Sequence, residues 1–406
     1  MKILILGINY SPEPIGIGPY TTGMAEALVA SGHDVSVVTA KPYYPYWKAD
    51  PAFKGGGVRW SKENGVKVAR CPIYVPSNPN GLRRLMHHAT FALRALVPMF
   101  QLAWRERPQL IISIAPSLIA TPIARLVAGI CCAKTWIHIQ DFEVEAAFAT
   151  GLLPKEGFLA RAAEKFEQVV LDVDRVSSIS PQMCARLVEK GVPASRVLEL
   201  RNWANIDQVV LLDGESPYRT EWRMDRPFVA LYSGNIANKQ GIEIIIDAAR
   251  LLTDRTDIMF VVCGNGANKQ NLIAAAHGLE NIRFYDLQPI DRLSDMLGLA
   301  TVHLLPQIAG AADLVLPSKM TNMLASGRPI VATAEVRTGL ASEIEGCGLV
   351  VRPADSLAFA AAIVQLIDDP IARLALGAEA RKRAEERWSR DQILMRFEQA
   401  VRDCVN

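Results

Sequence analysis

Apolar residues in this chain gather in short strand-like runs rather than in regular alternation with polar ones. Runs at residues 3–6, 35–39, 67–71, 110–114, 135–139 and 176–179 form a first series. Runs at 228–232, 259–263, 282–285, 302–305, 330–333 and 348–351 form a second. Strands rich in Val and Ile without polar alternation are buried on both faces, which is the habit of parallel sheets. Amphipathic helical stretches, such as 18–31 and 241–252, lie between them. The alternation, repeated twice, predicts an α/β chain of two doubly wound Rossmann-like domains.

The first boundary falls between residues 202 and 227. There a strand-like 197–200 gives way to Arg201-Asn202-Trp203-Ala204-Asn205 and a polar stretch at 213–226. We expect one domain at 1–204 and a second at 205–388. The remaining helix, 389–406, follows a break near Trp388-Ser389. Its Ile393, Leu394, Phe397 and Val401 recur at helical spacing and need an apolar surface to cover them. Doubly wound domains bind ligands at the carboxyl ends of their strands. If the two domains face each other, the site is the cleft between them.

Composition narrows the function classes. The chain has 406 residues, half of them hydrophobic, enough for two cores without disulfides. Lys and Arg number 44 against 42 Asp and Glu, and a net charge of +2 excludes a general affinity for nucleic acid. Seven cysteines without a CxxC pair suit reduced thiols and give no zinc signature. The opening MKILILG reads as a buried strand rather than a signal peptide. Residues 108–124 are uncharged, but three prolines divide them into strand, turn and helix rather than a membrane span.

Three strand ends carry candidate chemistry. After the first strand, Gly16 and Gly18 let backbone approach a ligand, and the helix start behind them favours an anion. No GxGxxG and no GxxxxGK[ST] occurs in the chain. In the second half, Gly234 and then Gly264-Asn265-Gly266 follow strands in the same way. Later, Ser318 and Lys319 open a helix and offer amides, a hydroxyl and a cation to a diphosphate.

Three segments carry a resemblance: MKILILGINYSPEPIGIGPYTTGMAEALVASGHDVSVVTA, LYSGNIANKQGIE and LPSKMTNMLASGRPIVAT. Together they resemble glycosyltransferase family 4, whose members have the GT-B fold. HIQDFEVEAAFATGLL, KPYYPYW and CPIYVPSNPNGLRRL resemble the colanic acid biosynthesis fucosyltransferase type within it. The resemblance implies a retaining transferase that moves a sugar, fucose among the candidates, from a nucleotide diphosphate donor. It implies no metal cofactor, and a GDP-linked donor is among the candidates. The donor would sit mainly on the second domain, with Gly16, Gly18, Gly234, Asn235, Lys239, Gly264, Gly266, Ser318 and Asn322 as donor-binding candidates. The acceptor, a lipid-diphosphate-linked saccharide of exopolysaccharide synthesis, would sit on the first domain. The terminal helix would return to the first domain.

The chain departs from the family pattern at the cations. The usual Arg falls on Asn235 and the usual Lys on Gln240, with Lys239 adjacent. The usual pair of glutamates falls on Leu314 and Asn322, with Asp313 beside the first. Asn322 can still hydrogen-bond a ribose hydroxyl. Lys319 is therefore the candidate cation for the leaving diphosphate. In the first domain the resemblance implies a catalytic-site histidine followed by Asp. The literal match sets Gln140 at that histidine, two residues beyond His138 on the same strand face, so His138 and Gln140 both remain candidates. Asp141 follows, and Glu143 and Glu145 are candidates for acceptor binding. The catalytic set is then His138, Asp141 and Lys319.

Asp172-Val173-Asp174 spells a metal-binding motif of another transferase fold, but it precedes a strand and no further ligands accompany it. Residues 82–107 interleave Arg83, Arg84, Arg94, Arg105 and Arg107 with apolar and aromatic groups. That pattern suits an anionic membrane surface and predicts a cytoplasmic protein peripheral to the inner face of the cell membrane. Two other functions compete: a nucleotide-sugar epimerase of related fold, and a non-catalytic nucleotide-sugar-binding protein suggested by the missing cations.

Overall fold

The computed structural model describes the chain except residues 15, 78–80, 150–156, 205, 213, 237–239, 267, 309–315, 317, 337 and 406, and the side chains of 146, 149 and 318. Lys239, Asp313 and Leu314, and the Ser318 side chain, therefore lie outside the described residues. Two compact units emerge: Met1–Asn202 with Ile393–Asn406, and Trp203–Gln392.

The first unit is built on β1 (Lys2–Gly7), β2 (Asp34–Ala40), β3 (Arg59–Glu63), β4 (Val66–Cys71), β5 (Leu110–Ala115), β6 (Lys134–Ile139), β7 (Arg175–Ser178) and β8 (Val197–Glu199). They pair in the order β3-β4-β2-β1-β5-β6-β7-β8. All pairings are parallel except β3 with β4. β5, apolar but for Ser113, is buried along its whole length, as a central strand covered by helices on both faces must be. The helices α1 (Gly18–Ala30), α2 (Gly81–Glu106) and α3 (Thr121–Cys131) are among those that cover the sheet.

β3 is the element that the apolar runs did not announce. Its RWSKE is mostly exposed, so it carries no hydrophobic signal. Its cause is the Asn64-Gly65 turn, with φ of 46° and 87°, which folds β3 back onto β4 as a hairpin. The expectation of a purely parallel sheet is corrected at this edge. Residues 108–124 resolve into β5, a 3-10 turn and the start of α3, and no helix among the described residues is long and apolar enough to cross a membrane.

The second unit contains β9 (Phe228–Ser233), β10 (Ile258–Cys263), β11 (Ile282–Tyr285), β12 (Val302–Leu305), β13 (Ile330–Thr333) and β14 (Gly348–Val351). Their order is β11-β10-β9-β12-β13-β14, all parallel. The strand order reverses between β1 and β5 in the first sheet and between β9 and β12 in the second. At such a switch point the connections leave in opposite directions and open a crevice at the carboxyl ends.

At the chain's end the helix Pro370–Trp388 stops at Ser389, whose backbone is extended, and Arg390–Val405 begins. Ile393, Phe397 and Val401 are buried in the first unit, where the Phe397 ring meets Trp136 edge-on at 5.6 Å. His33 Nε2 and Glu398 lie 3.0 Å apart on the same packing surface.

Candidate functional site

In the second unit the predicted glycine loops form one cluster at the carboxyl ends of β9 and β10. A Cβ on Gly264 would lie 1.9 Å from the Gly234 carbonyl oxygen, and one on Gly266 would lie 2.1 Å from that of Ile236. The loops touch backbone to backbone, which only glycine permits at position 264. Ile236 N–H donates to the Asn265 carbonyl at 2.9 Å and fixes the contact. The glycines here are needed first for loop packing, and so for the placement of the exposed Asn235 and Asn265.

Lys319 reaches this cluster from the helix Ser318–Ala325. Its Cδ is 3.3 Å from where a Cβ of Gly234 would stand, so the stem lies in space that glycine leaves open. Nζ donates to Tyr232 Oη at 2.8 Å and stands 4.2 Å from the centre of that ring. Burial pushes the ammonium down to about 8 from 10.5. No carboxylate among the described residues pairs with it. Asn322, one turn further along the same helix, is half-buried. Sequence reasoning missed Tyr232: a tyrosine in an apolar strand looks like core until its hydroxyl partner is known.

In the first unit the glycines meet different partners. Gly16 lies against the Tyr44 ring, and Gly18, the first residue of α1, lies beside Glu13. Glu13 is buried, and its Oε1 accepts the backbone amides of Tyr43 and Tyr44, each at 3.0 Å. Its Oε2 accepts Asn9 Nδ2 at 2.8 Å. Desolvation raises the Glu13 carboxyl above its ordinary value, against these hydrogen bonds. This buried acid, not singled out by the sequence, ties the Gly16–Gly18 turn to the KPYYPYW loop.

At the end of β6, His138 is 1% exposed, and both ring nitrogens are engaged. Gln140 Nε2 donates to His138 Nε2 at 3.1 Å, so the ring proton sits on Nδ1 and goes to Ser177 Oγ at 2.8 Å. Burial holds the imidazole neutral, with its pKa pushed down to about 3. Gln140 and Asn202 exchange two amide hydrogen bonds of 3.0 and 2.7 Å. His138 thus meets the strand end through Gln140, with its own ring shielded from solvent. Asp141, the next residue, is exposed. Desolvation raises its carboxyl, and the charge of Arg84 on α2 opposes the rise.

Glu143 accepts the amides of Ser117 and, at 2.9 Å, Leu118, and so holds the turn after β5. Glu145 pairs with Arg186 and Lys190, each at 2.9 Å. Asp174 accepts Thr135 and Lys134, and Asp172 pairs with Arg125 and Arg196. Thr135, Asp172, Asp174, Arg125 and Arg196 line an open depression of about 440 Å³ at the amino ends of β6 and β7.

The outer face of α2 carries a continuous apolar stripe. Leu82, Met86, Leu93, Val97, Phe100 and Trp104 are all exposed, Trp104 at 82%. Arg83, Arg84, Arg94 and Arg105 are exposed beside them, and no acidic residue occurs from 81 to 105.

Residues 16–203 match the Glycosyl transferase 4-like domain, and residues 227–369 match Glycosyl transferases group 1. The putative colanic acid biosynthesis glycosyl transferase WcaI of Escherichia coli (strain K12) is 40% identical over 415 residues, spanning 99% of this chain and 100% of the relative. Among solved structures, sucrose-phosphate synthase from Thermosynechococcus elongatus superimposes with a TM-score of 0.67 at 17% identity, covering 99% of this chain and 98% of that one. HepE of Anabaena, in complex with UDP, superimposes with a TM-score of 0.65 at 17% identity over 99% of this chain and 100% of that one. With both halves matched and a full-length relative at this identity, the chain belongs to the family 4 glycosyltransferases and has the GT-B fold.

Proposed function

We propose that this glycosyltransferase moves a sugar from a nucleoside diphosphate donor, held at the strand ends of the second unit, to a saccharide acceptor on the first. Lys319 carries the reading. It is a largely buried ammonium with one hydrogen bond and no carboxylate partner among the described residues, set beside open glycine backbone. Such a charge is costly unless an anion arrives to meet it. As the glycosidic bond to the donor breaks, negative charge grows on the leaving diphosphate. Lys319 and the loop amides then stabilise the transition state more than the ground state. Gly234, Asn235, Gly264, Gly266, Ser318 and Asn322 surround the donor in this reading, with Lys239 adjacent. On the first unit, Asp141 is the acceptor-side candidate in this reading, and Gly16 and Gly18 remain donor-binding candidates.

The UDP complex of HepE supports a nucleotide donor, and the name of the Escherichia coli relative supports a role in colanic-acid-like exopolysaccharide synthesis. Retention of configuration, a fucosyl donor and independence from metal belong to the same proposal. The α2 stripe suits contact with an anionic membrane, where a lipid-diphosphate-linked acceptor resides.

The test is turnover of GDP-, UDP- and dTDP-sugars in the presence of chelator, with lipid-linked saccharide extracts as acceptor. Transfer with retained anomeric configuration supports the proposal. Activity abolished by chelator overturns metal independence. An altered sugar released without acceptor would establish the epimerase instead, and donor binding without turnover would establish a binding protein.

A further inference from the structure

The two positions where the family pattern sets cations hold Asn235 and Gln240, and both converge on one hydroxyl. Tyr232 is fully buried near the end of β9, and its Oη lies 2.6 Å from the Asn235 carbonyl and 2.7 Å from Gln240 Oε1. A phenol has one hydrogen, so it donates to one of these acceptors at a time. Its oxygen is then free to accept, and Lys319 Nζ donates to it at 2.8 Å. The donor side of the hydroxyl thus faces the two altered positions, while its acceptor side holds the cation that the chain does possess.

Filling the end of β9 does not require this hydroxyl. Phenylalanine occupies nearly the same volume and buries no polar atom. Lysine, by contrast, has a long flexible stem, and an ammonium acts on a diphosphate only if it is held in place. Gly234 leaves room for the stem, and the Tyr232 ring lies 4.2 Å below Nζ. Among the described residues, charged groups on the neighbouring loops are engaged elsewhere. Glu243 accepts Asn268 Nδ2, and Lys269 donates to Asn265 Oδ1, the Tyr285 carbonyl and Asp286.

We infer that Tyr232 is a positioning residue for the transfer reaction. Its hydroxyl, oriented by the Asn235 carbonyl and the Gln240 amide, holds the Lys319 ammonium at the Gly234 backbone, ready for the leaving diphosphate. The inference rests on the reading of Lys319 given under Proposed function. In this chain the loop positions that lack cations act indirectly, by orienting the hydroxyl that presents the cation.

The experiment compares Tyr232→Phe, Gln240→Leu and Lys319→Ala with the full-length parent. Two quantities are read: kcat and kcat/KM against pH on the best donor, and titration of the Lys319 side chain by carbon-13 NMR, assigned with Lys319→Arg. Tyr232→Phe removes an acceptor from the charged form. The Lys319 titration should therefore move about one pH unit lower, and the alkaline limb of kcat/KM should follow it. Its kcat should fall about tenfold, with a smaller change in donor KM. Gln240→Leu should shift both in the same direction by less, and Lys319→Ala should remove the limb.

Loss of packing alone would lower activity equally at every pH and leave the limb in place, which would overturn the inference. A Lys319 titration unchanged in both Tyr232→Phe and Gln240→Leu would overturn it as well, whether or not turnover is found. Parent-like activity in Lys319→Ala would instead sink the underlying reading of Lys319, and the inference with it.

Discussion

Replacing Lys319 by Met should make the protein more stable and much less active. The depression from 10.5 to about 8 corresponds to a cost of about 3 kcal/mol for keeping the ammonium charged in its site at neutral pH. Met fills a similar volume without charge. It also gives up the bond to Tyr232 and the contact with its ring, so the net gain is about 2 kcal/mol. The sign has a second signature. Between pH 8 and 10.5 the unfolded lysine holds its proton while the folded one has lost it, so this group raises stability as pH rises through that window. The Met variant lacks that rise. Its advantage in urea unfolding, read on the transition of the Trp203–Gln392 unit, should be full at pH 7 and shrink towards pH 10. Turnover should drop about a hundredfold, the scale of one lost electrostatic donor. A variant less stable than the parent at pH 7, or a stability gap independent of pH, would refute the reasoning.

Three further outcomes are expected. Gly264→Ala forces a methyl to 1.9 Å from the Gly234 carbonyl, so the two loops must part; a thermal shift assay should show a loss of about 2 kcal/mol or more, together with weakened donor binding. His138, held neutral with a pKa of about 3, contributes no inflection between pH 5 and 8; His138→Asn should lower the melting temperature while the acid limb of kcat/KM stays in place, and a limb that moves would return His138 to direct chemistry. The α2 face should bind anionic vesicles and release them as salt increases; changing Arg83, Arg84, Arg94 and Arg105 to Gln should weaken binding in co-sedimentation, and equal binding to neutral vesicles would remove the electrostatic part of the argument.

Much of the candidate site was visible as residue types but not as a geometry. Gly234, Gly264, Gly266 and Lys319 stand out because glycine after a strand and lysine at a helix start are local signals. That Gly264 packs on the Gly234 carbonyl is a long-range contact with no local signature. The same holds for Glu13, whose amide partners lie about thirty positions away, and for Tyr232, whose cation lies 87 positions along the chain. His138 shows the converse. Its type and strand-end position are legible in the sequence, but its burial and its bonds to Ser177 and Gln140 are not.

The sequence by itself determined that the chain is α/β and doubly wound in both halves. Burial on both faces of a parallel strand favours a mostly apolar run, and such runs are read one segment at a time. It also determined where the strands end, and so where ligands can approach. β3 escaped because an exposed edge strand has no apolar run to betray it, although the Asn64-Gly65 turn that makes it was present in plain letters. Only the tertiary structure decided which hydroxyl meets Lys319, that Glu13 is buried, and which partners the His138 ring meets. Those outcomes depend on distances between segments remote in sequence, and desolvation, hydrogen bonding and charge act over a few ångströms in space rather than along the chain.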